Sequence, residues 1–186
     1  MNLTAPTSLV ARRGAVIQRS LRPLTRHNMG PAWQQVANAY GLVIAAHDGS
    51  SASDDFASWR FPSLVPFIRC SYYERWFRVE KSDSWYLDRA YLHLYRFDAA
   101  TRKETEFVLL HCDPNEAESE AHSRYKRSPH LHISLASDPF PHAHISLNLT
   151  DIEATIGSLD GLGKAFSSAI MMLCEEVLPL YQLEGD

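Results

Sequence analysis

The chemistry in this chain gathers in two short units twelve residues apart. They read His130-Leu-His132-Ile-Ser134-Leu and His142-Ala-His144-Ile-Ser146-Leu. Strand side chains alternate between faces, so His130, His132, Ser134, His142, His144 and Ser146 share one face if both units are strands. Leu131, Ile133 and Leu135 fall on the other, with Ala143, Ile145 and Leu147. A turn over Ser137 to Pro141 would set His132 opposite Ser146 and Ser134 opposite His144, with Cβ atoms about 4.5 to 5.5 Å apart. Imidazoles that close cannot all carry charge, so some should be neutral at pH 7, with pKa values drawn below about 6.5. A mixture of neutral and charged rings supplies one base and one acid, which cleavage of a phosphodiester requires. Neutral imidazoles at positions i and i+2 of a strand also suit a divalent metal such as zinc, copper or nickel. That is the alternative to a site needing no cofactor, and no carboxylate lies within either unit.

A second set of residues can join this face. Arg89, Tyr91, His93 and Tyr95 alternate along one segment, and a turn near Thr101 would bring His111 beside Tyr91. Arginine stabilises charge developing on phosphoryl oxygens, and tyrosine orients or donates. Together these residues form a candidate metal-independent ribonuclease site. The competing reading is that a polar strand face is simply the solvated side of an antiparallel sheet, or a partner interface.

The positioning elements follow from pattern. Residues 1–30 read as an irregular basic arm, and residues 31–186 as one α+β domain. Trp33, Val36, Ala37, Tyr40 and Val43 recur at helical spacing and predict a helix over 31–46. Asp48 to Asp55 is a polar loop. Phe56 to Val79 is aromatic and broken by Pro62 and Pro66, with Ile68 to Val79 its best strand. Trp85 to Phe97 and Glu104 to Cys112 predict a strand pair turning at Asp98 to Lys103. Asp113 to Ser123 is a charged loop. Arg127 to Ala136 and Pro141 to Leu149 predict the histidine hairpin. A helix over about 159–178 follows from Leu159, Leu162, Phe166, Ile170, Leu173 and Val177, spaced by three and four, with Pro179 to end it. The fold class is α+β: an antiparallel sheet of four or more strands flanked by an N-terminal and a C-terminal helix.

Net charge is −4 over 186 residues, but it is unevenly placed. The first 47 residues hold Arg12, Arg13, Arg19, Arg22 and Arg26 and no acid, while the rest hold 22 acids against 13 Lys or Arg. The arm can be read as a transit peptide, as a nucleic-acid arm neutralising phosphates, or as a terminus docked on a partner. Arg124, Lys126 and Arg127 add positive charge beside the hairpin. Cys70, Cys112 and Cys174 form no CxxC pair, which argues against thiolate zinc and fits a reducing, cytoplasmic setting. No run of 18 apolar residues occurs, so no membrane partner is expected. There is no Gly-rich phosphate loop, nucleophile elbow or HExxH, which sets aside nucleotide-driven motors, common hydrolases and dehydrogenases. Trp59, Tyr72, Tyr73, Trp76 and Phe77 are dense enough to suggest a protein interface.

Two resemblances bear on function. The repeated His-apolar-Ser-apolar looks in form like the motif pair of two-histidine phosphoesterases. That family places its motifs in separate lobes, so here the pattern is read as local chemistry. More of the chain, about residues 85–180, is similar to TumE-type toxins of bacterial toxin–antitoxin modules. The matching stretches are Tyr91-Leu-His93-Leu-Tyr95-Arg96, then Tyr125-Lys-Arg127-Ser-Pro129-His130-Leu-His132, then the C-terminal helix. The doubled His-x-His-x-Ser is a departure from that pattern. The resemblance implies a small prokaryotic effector or defence-module protein acting on RNA, with an antitoxin as its protein partner. A non-catalytic subunit, binding protein or nucleic acid through its arm and aromatic segment, is the alternative.

Overall fold

A computed structural model describes residues 3–26, 28–36, 39–46, 59–112, 130–133, 143–146 and 157–179. In chain order the elements are β1 (Thr4–Pro6), α1 (Thr7–Leu21), β2 (Met29–Val36), β3 (Ala39–Ala46), β4 (Phe61–Pro62), β5 (Ile68–Arg78), β6 (Ser84–Asp98), β7 (Lys103–Cys112), β8 (His130–Ile133), β9 (Ala143–Ser146) and α2 (Leu159–Met172). A π-helical turn, Leu173–Val177, extends α2. The strands form one antiparallel sheet in the order β2-β3-β5-β6-β7-β8-β9, with β1 paired to β6 and β4 to β5. The class is α+β, as the sequence predicts.

The middle of the sheet follows the pattern closely. β5, β6 and β7 occupy the expected segments, and their turn sets His111 opposite Tyr91. The C-terminal helix also follows. Ser158 caps it, its Oγ accepting from Gly161 N at 3.0 Å, as a short hydroxyl side chain does at that position. Leu162, Phe166, Ile170 and Leu173 are buried in the core, with Leu159 and Val177 packed at its edge. Pro179 is itself still helical, so it does not end the helix before that residue.

Two expectations are corrected. Residues 31–46 are not a helix but lie largely in the antiparallel pair β2 and β3. β3 pairs on both sides, with β2 and β5, and Leu42, Val43, Ile44 and Ala45 are all buried. A strand covered on both faces shows a continuous apolar run, which periodicity alone does not separate from a buried helix. The arm is not irregular either, because residues 4–21 are β1 and α1. The buried positions of α1 are Val10, Arg13, Ile17 and Leu21, spaced three, four and four. An arginine stands in the middle of that stripe, so the stripe does not read as apolar.

Arg13 explains how this is tolerated. Its side chain is 2% exposed, and its Nε donates to both carboxylate oxygens of the fully buried Glu74 on β5, at 2.9 and 3.1 Å. Tyr72 Oη donates to one of those oxygens at 2.6 Å, and Trp76 Nε1 to the other at 3.0 Å. The carboxylate is therefore satisfied on both oxygens, the condition under which a buried ion pair is stable. α1 and α2 then lie on one face of the sheet. Ser20 and Ser167 join them at 2.8 Å, and Tyr72 meets Phe166 edge-on at 6.0 Å. Tyr72, Tyr73 and Trp76, expected at an interface, are buried; Trp59 and Phe77 are half-buried.

Removing one partner of such a pair leaves the other charge buried and uncompensated. Arg13→Met is expected to cost about 3 to 5 kcal/mol, read from urea unfolding. Arg13→Met combined with Glu74→Gln should recover part of that loss, because the orphaned charge is gone.

Candidate active site on the far face of the sheet

The face turned away from the helices carries the chemistry. Pairing across the sheet defines two rows. One runs Ala45, Tyr73, Tyr91, His111, His130, Ser146, and the next runs Ser71, His93, Leu109, His132, His144. Residues paired directly across strands share a face. The register therefore puts His93, His111, His130, His132 and His144 at same-face positions of four adjacent strands. The hairpin register differs from expectation by two residues: His132 pairs with His144, and His130 with Ser146. The parity is kept, so the residues stay on the same face. Ser134, His142 and the turn between them lie outside the described residues. So do Arg124, Lys126, Arg127 and the loops at 48–55 and 113–123.

This face is not a plain solvated surface. Val43, Ala45 and Tyr73 are buried together, with Trp59 and Tyr91 packed against them. Ser71 is wholly buried. Rings crowd the centre: Tyr91 stacks on His111 with centroids 3.9 Å apart, and His93 lies 5.8 Å from Tyr91, 5.9 Å from Tyr95 and 6.1 Å from His111.

His93 is the residue best prepared for proton transfer. Its Nδ1 lies 2.8 Å from Glu106 Oε2. An ionised carboxylate only accepts, so Nδ1 donates to it. Nε2 is buried and has no hydrogen-bond partner among the described residues. A carboxylate that fixes the tautomer and orientation of an imidazole is the arrangement found behind a general base. Glu106 also holds Tyr95 by a hydrogen bond; burial, then the nearby carboxylate, pushes the Tyr95 phenol up despite the opposing pull of Arg60. Tyr95 therefore stays neutral and donates. Arg60 lies over its ring at 3.8 Å.

Glu106 reaches this face through an irregularity in the ladder. Leu94 pairs with Val108 but Tyr95 pairs with Glu106, so Phe107 is an extra residue on β7. Regular alternation from Leu110 and Val108 would put Glu106 on the helix side. A bulge re-aims a side chain in this way. Glu106 is accordingly a site residue that sequence parity misses, and Ser71 is a second, hidden in an aromatic run. A matching bulge on β6 makes Asp88 the extra residue between Leu87 and Arg89. Its carboxylate accepts from Arg75 Nε at 2.7 Å and Arg89 Nε at 2.8 Å. Arg89, expected to meet phosphate, is thus already paired, and its guanidinium lies 5.7 Å from the Tyr91 ring centroid.

α1 lies on the opposite side of the sheet, with Arg12 and Arg19 exposed on it and Arg22 and Arg26 exposed in the segment that follows, while Arg13 is corrected from a nucleic-acid contact to a core residue. Among the described residues no group of three or more metal-ligating side chains is assembled. Cys70 and Cys112 are buried free thiols, and burial pushes the Cys70 thiol up. No helix among the described residues is long and apolar enough to cross a membrane. Comparison with family models, curated proteins and solved structures finds no match for this chain.

The tautomer assignment is open to direct measurement. Ring ¹⁵N spectra of the native chain should show His93 protonated at Nδ1. In Glu106→Leu that preference should disappear, while the fold, read by amide spectra, persists.

Proposed function

We propose that this chain is a small effector enzyme that cleaves RNA phosphodiesters by general acid–base catalysis on the far face of its sheet. One observation carries the reading. His93 is held at Nδ1 by Glu106 and has an unpartnered Nε2, on a face where the register gathers four further histidines. His93 is the base. His111, stacked on Tyr91 and opposite His130, is the nearest described imidazole to serve as acid. The similarity to TumE-type toxins supports the same reading, since the residues carrying it include Tyr91, His93, His130 and His132, all at far-face positions by register. The exposed arginines of α1 would hold the nucleic-acid backbone at a distance from the scissile bond.

A role in a complex, with an antitoxin or another subunit, is favoured by one separate observation. Phe67 is 66% exposed and sits at φ 61, a left-handed conformation that a bulky residue rarely adopts. Leu64 beside it is also exposed. These two are the most exposed of the large apolar side chains among the described residues, whereas Tyr72, Tyr73 and Trp76 are buried.

The purified chain, incubated with short single-stranded RNA in EDTA, should cut it. His93→Ala should lower kcat by about 10² to 10⁴ with an unchanged thermal midpoint. Failure of the native chain to cut RNA, with or without divalent ions, refutes the reading. Cleavage lost in EDTA and restored by one divalent ion would hand the chemistry to a metal at the histidine hairpin.

A further inference from the structure

The turn that leads into β5 puts a bulky ring where the backbone disfavours one. Val65 to Ile68 close this turn, with Ile68 N donating to Val65 O at 3.3 Å. Pro66 takes its second position and Phe67 its third, at φ 61. A turn with positive φ at the third position favours Gly or Asn there. A bulky residue in that region is an outlier, of the kind kept at functional positions. The Phe67 ring gains little burial in return: it is 66% exposed, and Leu64, three residues before it, is 49% exposed. Pro62 and Pro66 are exposed with them. The backbone beneath is closed on itself. Ser63 N donates to Ile68 O at 3.1 Å, Leu64 N to Leu24 O at 2.7 Å and Val65 N to Ser63 Oγ at 3.0 Å, and the two prolines have no N–H. An apolar cover over this turn therefore strips few backbone donors of water.

The surroundings of the turn are basic. Leu24 O and Thr25 Oγ1 hold it through Leu64 N and Pro62 O, which brings the exposed Arg22 and Arg26 to one side. Phe67 O accepts from Phe97 N at 2.7 Å and Ile68 pairs with Arg96, which brings the exposed Arg96 to the other. Arg69 lies there too, its guanidinium 3.9 Å over the Phe97 ring centroid. We infer that this turn docks a protein partner through an acidic segment that also carries apolar side chains. The apolar side chains cover Leu64 and Phe67, and the carboxylates meet the flanking arginines, whose planar forks suit them. The inference rests on Phe67 and Leu64 being a partner surface and deepens that reading by naming the partner's chemistry. A lipid surface or a strand of phosphates fits less well. Glu104, held by Arg60 and Arg69, and Asp98, bonded to Ala100 N and Thr101 N, stand among these cations. Fixed carboxylates repel a continuous anionic surface, whereas the separate carboxylates of a peptide can each reach one arginine.

Selection of a random phage-displayed peptide library on the immobilised chain tests this. The expected result is enrichment of peptides rich in Asp or Glu with Leu, Phe or Trp among them. A synthetic copy of an enriched peptide should bind the native chain, and more weakly as salt rises. Phe67→Asn should lower its affinity about thirtyfold, the mark of a truncated hot spot, and Arg26→Glu with Arg96→Glu should weaken it too. Phe67→Asn should melt no earlier than the native chain, because Asn tolerates the left-handed backbone; a lower midpoint makes the ring structural and overturns the inference. Enrichment of neutral or basic peptides that still need Phe67 overturns the acidic chemistry and leaves the partner surface standing. Peptides indifferent to Phe67→Asn, or no enrichment, remove both. Vesicles of phosphatidylcholine and phosphatidylserine, and single-stranded RNA, are the controls. Binding of either that Phe67→Asn abolishes gives the turn to lipid or to nucleic acid and overturns the inference.

Discussion

The ladder between β6 and β7 carries one more residue on β7 than on β6 between Leu94 and Tyr95, and Glu106 meets His93 because of it. A strand offers each face every second residue, so an inserted Phe107 reverses the parity of everything before it. Val108 and Leu110 remain in the core with Phe107, while Glu106 turns to the far face. Without the carboxylate, His93 is one aromatic-sized ring among several. With it, the ring has a proton held at Nδ1 and a fixed orientation. The second bulge, at Asp88, acts on charge: it lodges a carboxylate between Arg75 and Arg89 and neutralises part of the positive edge of the same face.

The two faces of the sheet are divided in their tasks. The helix side is an apolar core from Leu3 to Leu178, and its buried charge pair, Arg13 with Glu74, has donors on both carboxylate oxygens. The far side is built from rings and hydroxyls and leaves polar atoms unpaired. Natural cores seldom keep unpaired polar groups, and each one asks for an explanation. Arg13 Nη2 is also without a partner, but that guanidinium is already anchored to Glu74. The His93 ring is likewise anchored, to Glu106 through Nδ1, and Ser71 Oγ and His93 Nε2 lie on the face with the candidate site residues.

Much of this was legible in the sequence wherever one simple period dominates. β5, β6, β7 and α2 follow alternation or a three-four spacing over most of their length, and the turn between β6 and β7 sets His111 beside Tyr91. The failures occur where a residue contradicts the period for a tertiary reason. Arg13 sits in a buried stripe because Glu74, 61 residues away, receives it, and no local pattern announces that. β3 is apolar on both faces because Leu42 and Ile44 join the helix-side core while Val43 and Ala45 pack with Tyr73, Trp59 and Tyr91 on the other face, a fact about neighbours. The hairpin register depends on a turn that parity does not fix, so it differs by two residues while the parity of the pairing is kept. Glu106 was invisible because a bulge leaves no compositional mark.

The buried arginine of α1 has a consequence for the order in which the molecule can be assembled. A chain emerges from the ribosome N-terminus first, and Arg13 is made long before Glu74. Until β5 exists, the stripe of α1 presents a charge where the core will be, and the helix has nothing to dock against. β5, β6 and β7, by contrast, are joined by short turns and close through local contacts, which form fastest. The N-terminal segment can therefore complete its packing only after β5 is made, and a nascent chain halted before Glu74 would leave Arg13 without its carboxylate.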